Sequence, residues 1–278
     1  MIHRVLQAAL IGALAVLLLA SPATSESAPA GAIVINYVEP SDPAHRPIYD
    51  RLRERRVLED FRDFLSPLKL PQPLEIRVQG CKGVINAWYS SRSIAVCYEY
   101  IAWIRKMAAQ GTPIEGISPG DAVMGPFVDV LLHELSHAVF DMLNIPLFGR
   151  EEDAADQLAA FLLLQFGKDV ARRTITGTAL FFRHMAESQQ QDAIDFASVH
   201  GLPAQRFYNV LCIAYGWDRE LFADFVKKGL LPNHRAAGCA WEYKQIAHAF
   251  NTLIAPHIDA ELQKKVQSRE WLRSDDGK

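Results

Sequence analysis

The sequence has no surplus of charge of either sign. Its 278 residues contain 29 Lys and Arg against 32 Asp and Glu, which leaves a formal net charge of −3. Proteins that bind nucleic acid usually carry a basic patch, but the densest basic run, 51–65, is interleaved with acids. Its apolar residues recur at helical spacing, which indicates a solvated helix surface. We therefore expect no nucleic-acid partner, and the 50% hydrophobic content indicates a globular protein.

The sequence also lacks a hydrophobic run long enough for a clear membrane helix. The apolar stretch Val5–Ala20 has sixteen residues, fewer than the ~20 that a span needs. Its short basic start and the small residues Ser21 and Ala23 are typical of a secretory signal peptide. An uncleaved anchor is the alternative. We predict a secreted or periplasmic protein that is not stably inserted in the membrane, with these segments: signal peptide 1–23, spacer 24–31, a single domain 32–273 and a disordered tail 274–278.

Cysteine is scarce, with four residues and no C-x-x-C pair, and this argues against a zinc knuckle. An even number of cysteines in an exported protein predicts disulfides. Four cysteines allow three pairings. We favour Cys81–Cys97 and Cys212–Cys239, because each would close one contiguous segment. Buried free thiols are the alternative.

The residue pattern predicts an α+β fold: a small N-terminal sheet with a hairpin, a central helix and a mostly helical C-terminal half. Short runs rich in β-branched residues predict strands at 32–38, 74–80, 85–89 and 94–98. Pro126 suits the first turn of the central helix. Helical periodicity predicts the other helices at 47–65, 99–109, 150–166, 169–187, 203–214, 220–228, 239–253 and 256–271.

Three ionisable side chains, His133, Glu134 and His137, lie at the centre of the largely apolar stretch VDVLLHELSHAVFDML (128–143). His133 and His137 are four residues apart, so on a helix both imidazoles project from one face. Together with Glu134 they form H-E-x-x-H, in which two histidines bind zinc and the glutamate acts on the metal-bound water. Two core histidines beside a buried glutamate are the alternative, but all three groups would then need other partners.

A catalytic zinc site takes a third protein ligand and keeps one position open. In the stretch 149–166, read as a helix, Glu152 and Asp156 share a stripe with apolar residues, and Glu151 and Asp153 flank that stripe. Because an unpaired buried carboxylate is costly, we predict Glu152 as the third ligand and Asp156 as the partner of a ligand histidine. Asp153 or a distant histidine is the alternative third ligand. We expect one Zn²⁺ per chain.

Peptide-bond hydrolysis by a zinc-activated water would make Glu134 the general base. An oxyanion stabiliser is also required, and His200 and Tyr208 are our candidates, with His248 as a further one.

The predicted hairpin precedes the central helix, and its edge could pair with an extended peptide. Asn86, Ala87 and Trp88, followed by Tyr89, would then line the cleft. An ordinary hairpin closed by a disulfide is the alternative.

His133-Glu134-x-x-His137 followed by Glu152-x-x-x-Asp156 resembles the Glu-zincin metallopeptidases, in which a downstream E-x-x-x-D helix supplies the third ligand. The stretches CKGVINAWYSSRSIAVCYEY, HELSHAVFDMLNIPLFGREEDAADQLAAF and QRFYNVLCIAYG resemble more closely a bacterial family of zinc metallopeptidases of unknown function. The resemblance covers about 32–257 and implies peptidase activity without defining a substrate. The interval before Glu152 is shorter than in the best-known Glu-zincins.

Two classes of function follow. The first is an exported zinc-dependent metallopeptidase, expected to be a monomer that acts on a peptide or protein. The second is a non-catalytic exported protein with a zincin-like fold that keeps zinc for structure or assembly.

Overall fold

The computed structural model describes residues 31–110, 117–190 and 195–271. The predicted signal peptide (1–23), nearly all of the spacer (24–31) and the tail (274–278) lie outside the described residues. Within these ranges the protein is α+β, with one four-stranded sheet near the N-terminus and helices after it, as the sequence predicts. In the same ranges, no helix combines the length and the hydrophobicity that crossing a membrane requires.

The sheet has the strand order β1-β2-β4-β3, with β3 at one edge. The strands are β1 (Ile33–Tyr37), β2 (Leu74–Gln79), β3 (Ala87–Ser90) and β4 (Ser93–Cys97). β1, β2 and β4 are parallel, and β3 is antiparallel to β4. Ser91 and Arg92 join β3 to β4 with positive φ angles of 51° and 62°, as expected for a two-residue hairpin turn whose twist matches the strands.

The N-terminal half also contains the helices α1 (Arg46–Glu54), α2 (Val57–Leu65) and α3 (Tyr98–Gln110). The prediction of one helix over 47–65 is wrong, because the chain breaks at Arg56, where φ is 54°. The Tyr37 hydroxyl accepts a hydrogen bond from the Leu58 amide at 2.8 Å and donates one to Glu59 at 2.7 Å. A side chain from β1 therefore satisfies an amide that the start of α2 leaves open, and periodicity cannot reveal such a long-range contact.

The central helix α4 (Pro119–Met142) begins seven residues before the predicted start at Pro126. The Ser118 hydroxyl accepts a hydrogen bond from the Asp121 amide at 3.1 Å, and Pro119 occupies the first position of the helix. Both are established start signals. The prediction failed because a proline inside a long helix resembles a proline in its first turn.

Seven helices follow α4 in the described residues. They are α5 (Glu151–Leu163), α6 (Lys168–Ser188), α7 (Pro203–Trp217), α8 (Ala223–Lys227), α9 (Asn233–Ala236), α10 (Cys239–Leu253) and α11 (Ala260–Gln267). The short α9 lies between the predicted helices 220–228 and 239–253, where no helix was predicted. The last helix begins at Ala260 rather than 256, because the Asp259 carboxylate accepts hydrogen bonds from the amides of Glu261 and Leu262.

Helices α4 and α6 approach closely at two glycines. A Cβ atom on Gly125 would lie 2.5 Å from the carbonyl oxygen of Thr174 and 2.9 Å from the Cα atom of Gly177. Only glycine allows this backbone approach. The close packing holds α4 against the helical half, so α4 lies between that half and the sheet.

Two disulfides join the pairs that the sequence favours, Cys81–Cys97 and Cys212–Cys239. The first connects the segment before β3 to the end of β4, and the second connects α7 to the start of α10. Glu99 lies beside the first disulfide, and its carboxylate accepts hydrogen bonds from the amides of Cys81 and Gly83 at 3.0 Å. Cys81, Cys97 and Glu99 lie close enough together to bind a metal ion. Because the two cysteines form a disulfide, their proximity is explained without a metal.

Candidate metal centre

Helix α4 places His133, Glu134 and His137 on one side, as their spacing predicts. His133 is 4% exposed and Glu134 is 7% exposed, and Leu131 and Leu132 on the same helix are fully buried. Ionisable side chains on so deeply buried a helix need hydrogen-bond or charge partners from other elements. The partners come from α5 and α7.

The N-terminal turn of α5 brings the Glu152 carboxylate to both histidines. Glu152 Oε2 lies 3.0 Å from His133 Nε2 and 3.4 Å from His137 Nε2, and the two Nε2 atoms are 3.2 Å apart. Among the described residues, His133, His137 and Glu152 form the one open set of potential ligands whose donor atoms all lie within 4.8 Å of one another.

The triangle of donor atoms has the size and the chemistry that a metal ion requires. Zinc binds nitrogen at about 2.0–2.1 Å and carboxylate oxygen at about 2.0–2.2 Å in tetrahedral geometry, so its ligand atoms lie roughly 3.3 Å apart. If the Nδ1 atom of each histidine carries the proton, both Nε2 lone pairs and a carboxylate oxygen point at one another. A cation between them would remove that repulsion, so these residues fit a metal ion.

His133 is held by a carboxylate that is itself held by an arginine. Its Nδ1 atom lies 2.8 Å from Asp156 Oδ1, so the ring N–H donates to the carboxylate and Nε2 is left as the ligand atom. Arg206 on α7 donates two hydrogen bonds to Asp156, at 2.7 Å and 2.6 Å. The guanidinium also lies 4.3 Å from the ring centroid of Phe182.

His137 has a more exposed partner. Its Nδ1 atom lies 2.7 Å from Glu151 Oε1, and the Glu151 side chain is 55% exposed. Helical periodicity predicts that Glu151 flanks the inward stripe of α5. The turn between α4 and α5 sets the angle at which the two helices meet, and helical periodicity contains no information about that angle.

The local charges shift the protonation of this cluster in the metal-free protein. Burial disfavours the charged form of His133, but its hydrogen bonds to Asp156 and Glu152 outweigh burial and raise its pKa to about 9. The hydrogen bond from His133 lowers the pKa of Glu152 to about 2. Burial opposes ionisation of Asp156, but Arg206 and His133 outweigh it and lower its pKa to about 2. Both carboxylates are therefore ionised at neutral pH, and without a metal they stabilise the cationic form of His133.

Glu134 lies beside this cluster and does not belong to it. Burial raises the pKa of Glu134, which the two histidines and a hydrogen bond from the Tyr89 backbone N–H oppose. A raised pKa makes a carboxylate a stronger base. The Tyr89 contact also connects the central helix to the edge strand β3.

A cavity of about 860 Å³ opens onto the cluster. The edge strand β3 and the residue before it contribute Asn86, Ala87, Trp88 and Tyr89 to its lining. Most of the rest of the lining comes from α3, α4, α5, α6, α7 and the segment 198–201. These strand residues were predicted to line a cleft, and they line the cavity that also contains His133 and Glu134.

The two candidate oxyanion stabilisers lie in different places. His200 lines the cavity, with its Nε2 atom 2.9 Å from Glu152 Oε2 and its ring 5.9 Å from that of His133. Burial lowers the pKa of His200, which favours the neutral imidazole. Tyr208 instead lies in a neighbouring depression with Asp153 and Arg235 and is 38% exposed. His248 is exposed on α10. The structure therefore brings His200, and neither Tyr208 nor His248, to the cluster.

Residues 37–254 match the model of a protein family described as "Putative metallopeptidase". This chain belongs to that family. The match covers more than half of the chain and includes α4, α5 and α7. No curated protein and no solved structure shows significant similarity to it. Membership in a metallopeptidase family implies a metal, and His133, His137 and Glu152 could hold one.

In this metallopeptidase family member, the contact between Arg206 on α7 and Asp156 was not predicted from the sequence. Arg206 follows His133 by more than seventy residues, and nothing in its local sequence distinguishes it from a surface arginine. The available signal was indirect: Asp156, predicted to be buried, needs a cationic partner as well as a histidine.

Proposed function

We propose that this protein is an exported zinc-dependent peptidase. The convergence of three donor atoms at 3.0–3.4 Å on one side of an open cavity carries the proposal. Zinc is the expected metal because two imidazoles and one carboxylate are the usual donors of catalytic zinc sites. The two disulfides support export, because they persist in oxidising compartments.

Each residue of the cluster has a distinct proposed role. His133, His137 and Glu152 hold the metal, and Asp156 orients His133. Bound zinc supplies a Lewis acid that polarises a carbonyl and lowers the pKa of water to about 7. The Glu134 carboxylate accepts a proton from the attacking water and delivers it to the leaving amine.

The edge strand supports binding of an extended peptide. The Cys97 amide donates to the Asn86 carbonyl at 3.1 Å, and Trp88 lies opposite Ala95. Hydrogen-bonded and non-hydrogen-bonded pairs alternate along an antiparallel ladder. The backbone groups of Ala87 and Tyr89 therefore point away from β4. We assign Ala87 N–H and C=O to main-chain pairing with the substrate, with Asn86 and Trp88 beside it.

His200 is the proposed stabiliser of the developing oxyanion. Its neutral ring carries one N–H donor, and its position in the cavity next to Glu152 supports the role. The same position suggests a second function, because a fourth ligand from His200 would close the site as in a structural zinc centre. The chain would then be a non-catalytic exported zinc-binding protein.

A comparison of metal content with peptide cleavage tests the proposal. We expect one zinc per purified chain, cleavage of a broad peptide library, loss of cleavage with a chelator and recovery with added zinc. Glu134→Gln should lower kcat by about 10²–10⁴-fold while zinc remains bound. Glu187→Gln, at an exposed position on α6, is the matched control and should leave cleavage unchanged.

Metal-free protein, or full activity in Glu134→Gln, would contradict the proposed peptidase. One zinc per chain without cleavage of any peptide would favour the structural role. In that case His200→Ala should weaken zinc binding, whereas in the peptidase it should lower kcat and leave zinc bound.

A further inference from the structure

The cavity contains a buried carboxylate that the proposed chemistry does not use. Asp129 lies on α4 one turn before His133, is 7% exposed and lines the cavity. Among the described residues, Asp156, Arg206 and His133 act on its carboxylate through their charges alone, and none of them donates a hydrogen bond to it. A buried carboxylate without a partner is costly, so its presence at a cavity wall calls for a ligand.

Arg206 and His133 are the cationic groups that act on Asp129, but both already pair with Asp156. Arg206 donates two hydrogen bonds to Asp156, and His133 Nδ1 lies 2.8 Å from the same carboxylate. Burial raises the pKa of Asp129 to about 7, which Asp156 reinforces and Arg206 and His133 oppose. Because a histidine that binds a metal is neutral, Asp129, Asp156 and Arg206 together then carry one negative charge when Asp129 is ionised.

Aromatic rings form a continuous wall in the same cavity. The ring centroids of Tyr100 and Trp103 are 5.5 Å apart, those of Trp103 and Phe181 are 5.1 Å apart, and those of Phe181 and Phe182 are 5.6 Å apart. All four side chains line the cavity with Asp129. Aromatic faces attract cations and also pack against methylene groups.

We propose that Asp129 and this aromatic wall form the side-chain pocket for a lysine or arginine of the substrate. This inference rests on the proposed peptidase function and names its substrate class. Lysine and arginine combine an apolar stem with a cationic head. The stem would pack on Trp103 and its neighbours, and the head would give Asp129 the charged hydrogen bond that it lacks.

A neutral or acidic substrate side chain fits the pocket poorly. A norleucine side chain would fill the same volume but leave Asp129 unpaired, and a glutamate would place two carboxylates together. Sites that contain a buried polar group discriminate strongly against ligands that cannot pair with it. We therefore expect a preference for lysine and arginine of at least tenfold over norleucine in kcat/KM.

Cleavage profiles of the wild type and of Asp129→Asn test the pocket. Asp129→Asn should reduce the lysine-to-norleucine preference below threefold, mainly through KM for the lysine peptide. Asp129→Ser serves as a second variant if the first misfolds, and circular dichroism with zinc content reports folding. Asp169→Asn, at an exposed position on α6, is the matched control and should retain the preference. A wild-type profile without preference for lysine or arginine, or an unchanged preference in a folded Asp129 variant, would overturn the inference and leave the peptidase proposal intact.

A binding measurement separates this inference from the peptidase proposal. Zinc-loaded Glu134→Gln is titrated by calorimetry with a lysine-containing pentapeptide and with its norleucine analogue. We expect at least tenfold tighter binding of the lysine peptide, and loss of the difference in Glu134→Gln combined with Asp129→Asn. This result would support the pocket even if the wild type cleaves nothing, and equal binding of the two peptides would refute it.

Discussion

The two walls of the cavity are built on different principles. On the sheet side, the edge strand β3 leaves the backbone groups of Ala87 unpaired with β4, and the Tyr89 amide is bonded to Glu134. On the helical side, α4, α5 and α7 present ionisable side chains that hold one another, such as His133, Asp156 and Arg206. Main-chain groups suit recognition of any extended peptide, whereas a fixed set of side chains suits a metal. The difference predicts that damage to the two walls will have different consequences.

The largest expected effect is the loss of the α5 ligand. Glu152→Ala removes the oxygen that lies 3.0 Å and 3.4 Å from the two Nε2 atoms. Because loss of an outer partner alone weakens metal binding by about 10–100-fold, loss of this ligand should weaken zinc binding by more than about 100-fold. Competition with a chromophoric chelator measures the affinity. Unchanged affinity would remove Glu152 from the site.

The second effect compares the supports of the two histidines. Asp156→Asn should weaken zinc binding by about 10–100-fold, because Asp156 is the hydrogen-bond partner of His133. It should also lower the free energy of unfolding by about 2–3 kcal/mol, since the buried Arg206 loses its counter-charge. Glu151→Gln, at the exposed partner of His137, is the matched comparison and should have the smaller effect on both zinc titration and urea unfolding. Equal effects would mean that burial does not distinguish the two supports.

The third effect comes from removing one disulfide at a time, since one lies on the sheet side of the cavity and the other on the helical side. Loops of 16 and 27 residues predict losses of about 3 kcal/mol each in the free energy of unfolding on removal, slightly more for the longer loop. Cys81→Ala with Cys97→Ala should loosen β3 and raise KM more than it changes zinc affinity. Cys212→Ala with Cys239→Ala should do the reverse, because that disulfide holds α7, which carries Arg206. Urea unfolding, peptide kinetics and zinc titration on both double variants check the pattern.

The smallest effect tests the backbone of the sheet side. Ala87→Pro removes an amide that points away from β4, so the β3–β4 ladder should remain intact. One hydrogen bond contributes about 0.5–1.5 kcal/mol, so KM should rise up to about tenfold with zinc affinity unchanged. Ala87→Ser keeps the amide and is the control. An unaltered KM in a folded Ala87→Pro variant would place the peptide elsewhere in the cavity.

The spacing of residues along the sequence predicted those features that depend on a single helix or strand. The spacing of His133 and His137 predicted their shared face, and the stripe containing Glu152 and Asp156 predicted the inward acids of α5. The strands were found because each is short, apolar and bounded by turn residues. The break at Arg56 and the early start of α4 were missed, because a contact from β1 decided the first and a misleading proline the second.

The sequence by itself determined the element types, the four-residue spacing of the histidines, the apolar faces that bury α4 and the cysteines available for two local disulfides. These depend on intervals within a segment, and helical or strand geometry converts such intervals directly into faces. The tertiary structure alone decided that Arg206 supports Asp156, that Glu151 meets His137, that His200 enters the cavity and Tyr208 does not, and that Asp129 lines the same cavity as four aromatic residues. Those contacts join residues from separate elements, and the angles between packed helices, which no interval in the sequence encodes, determine them.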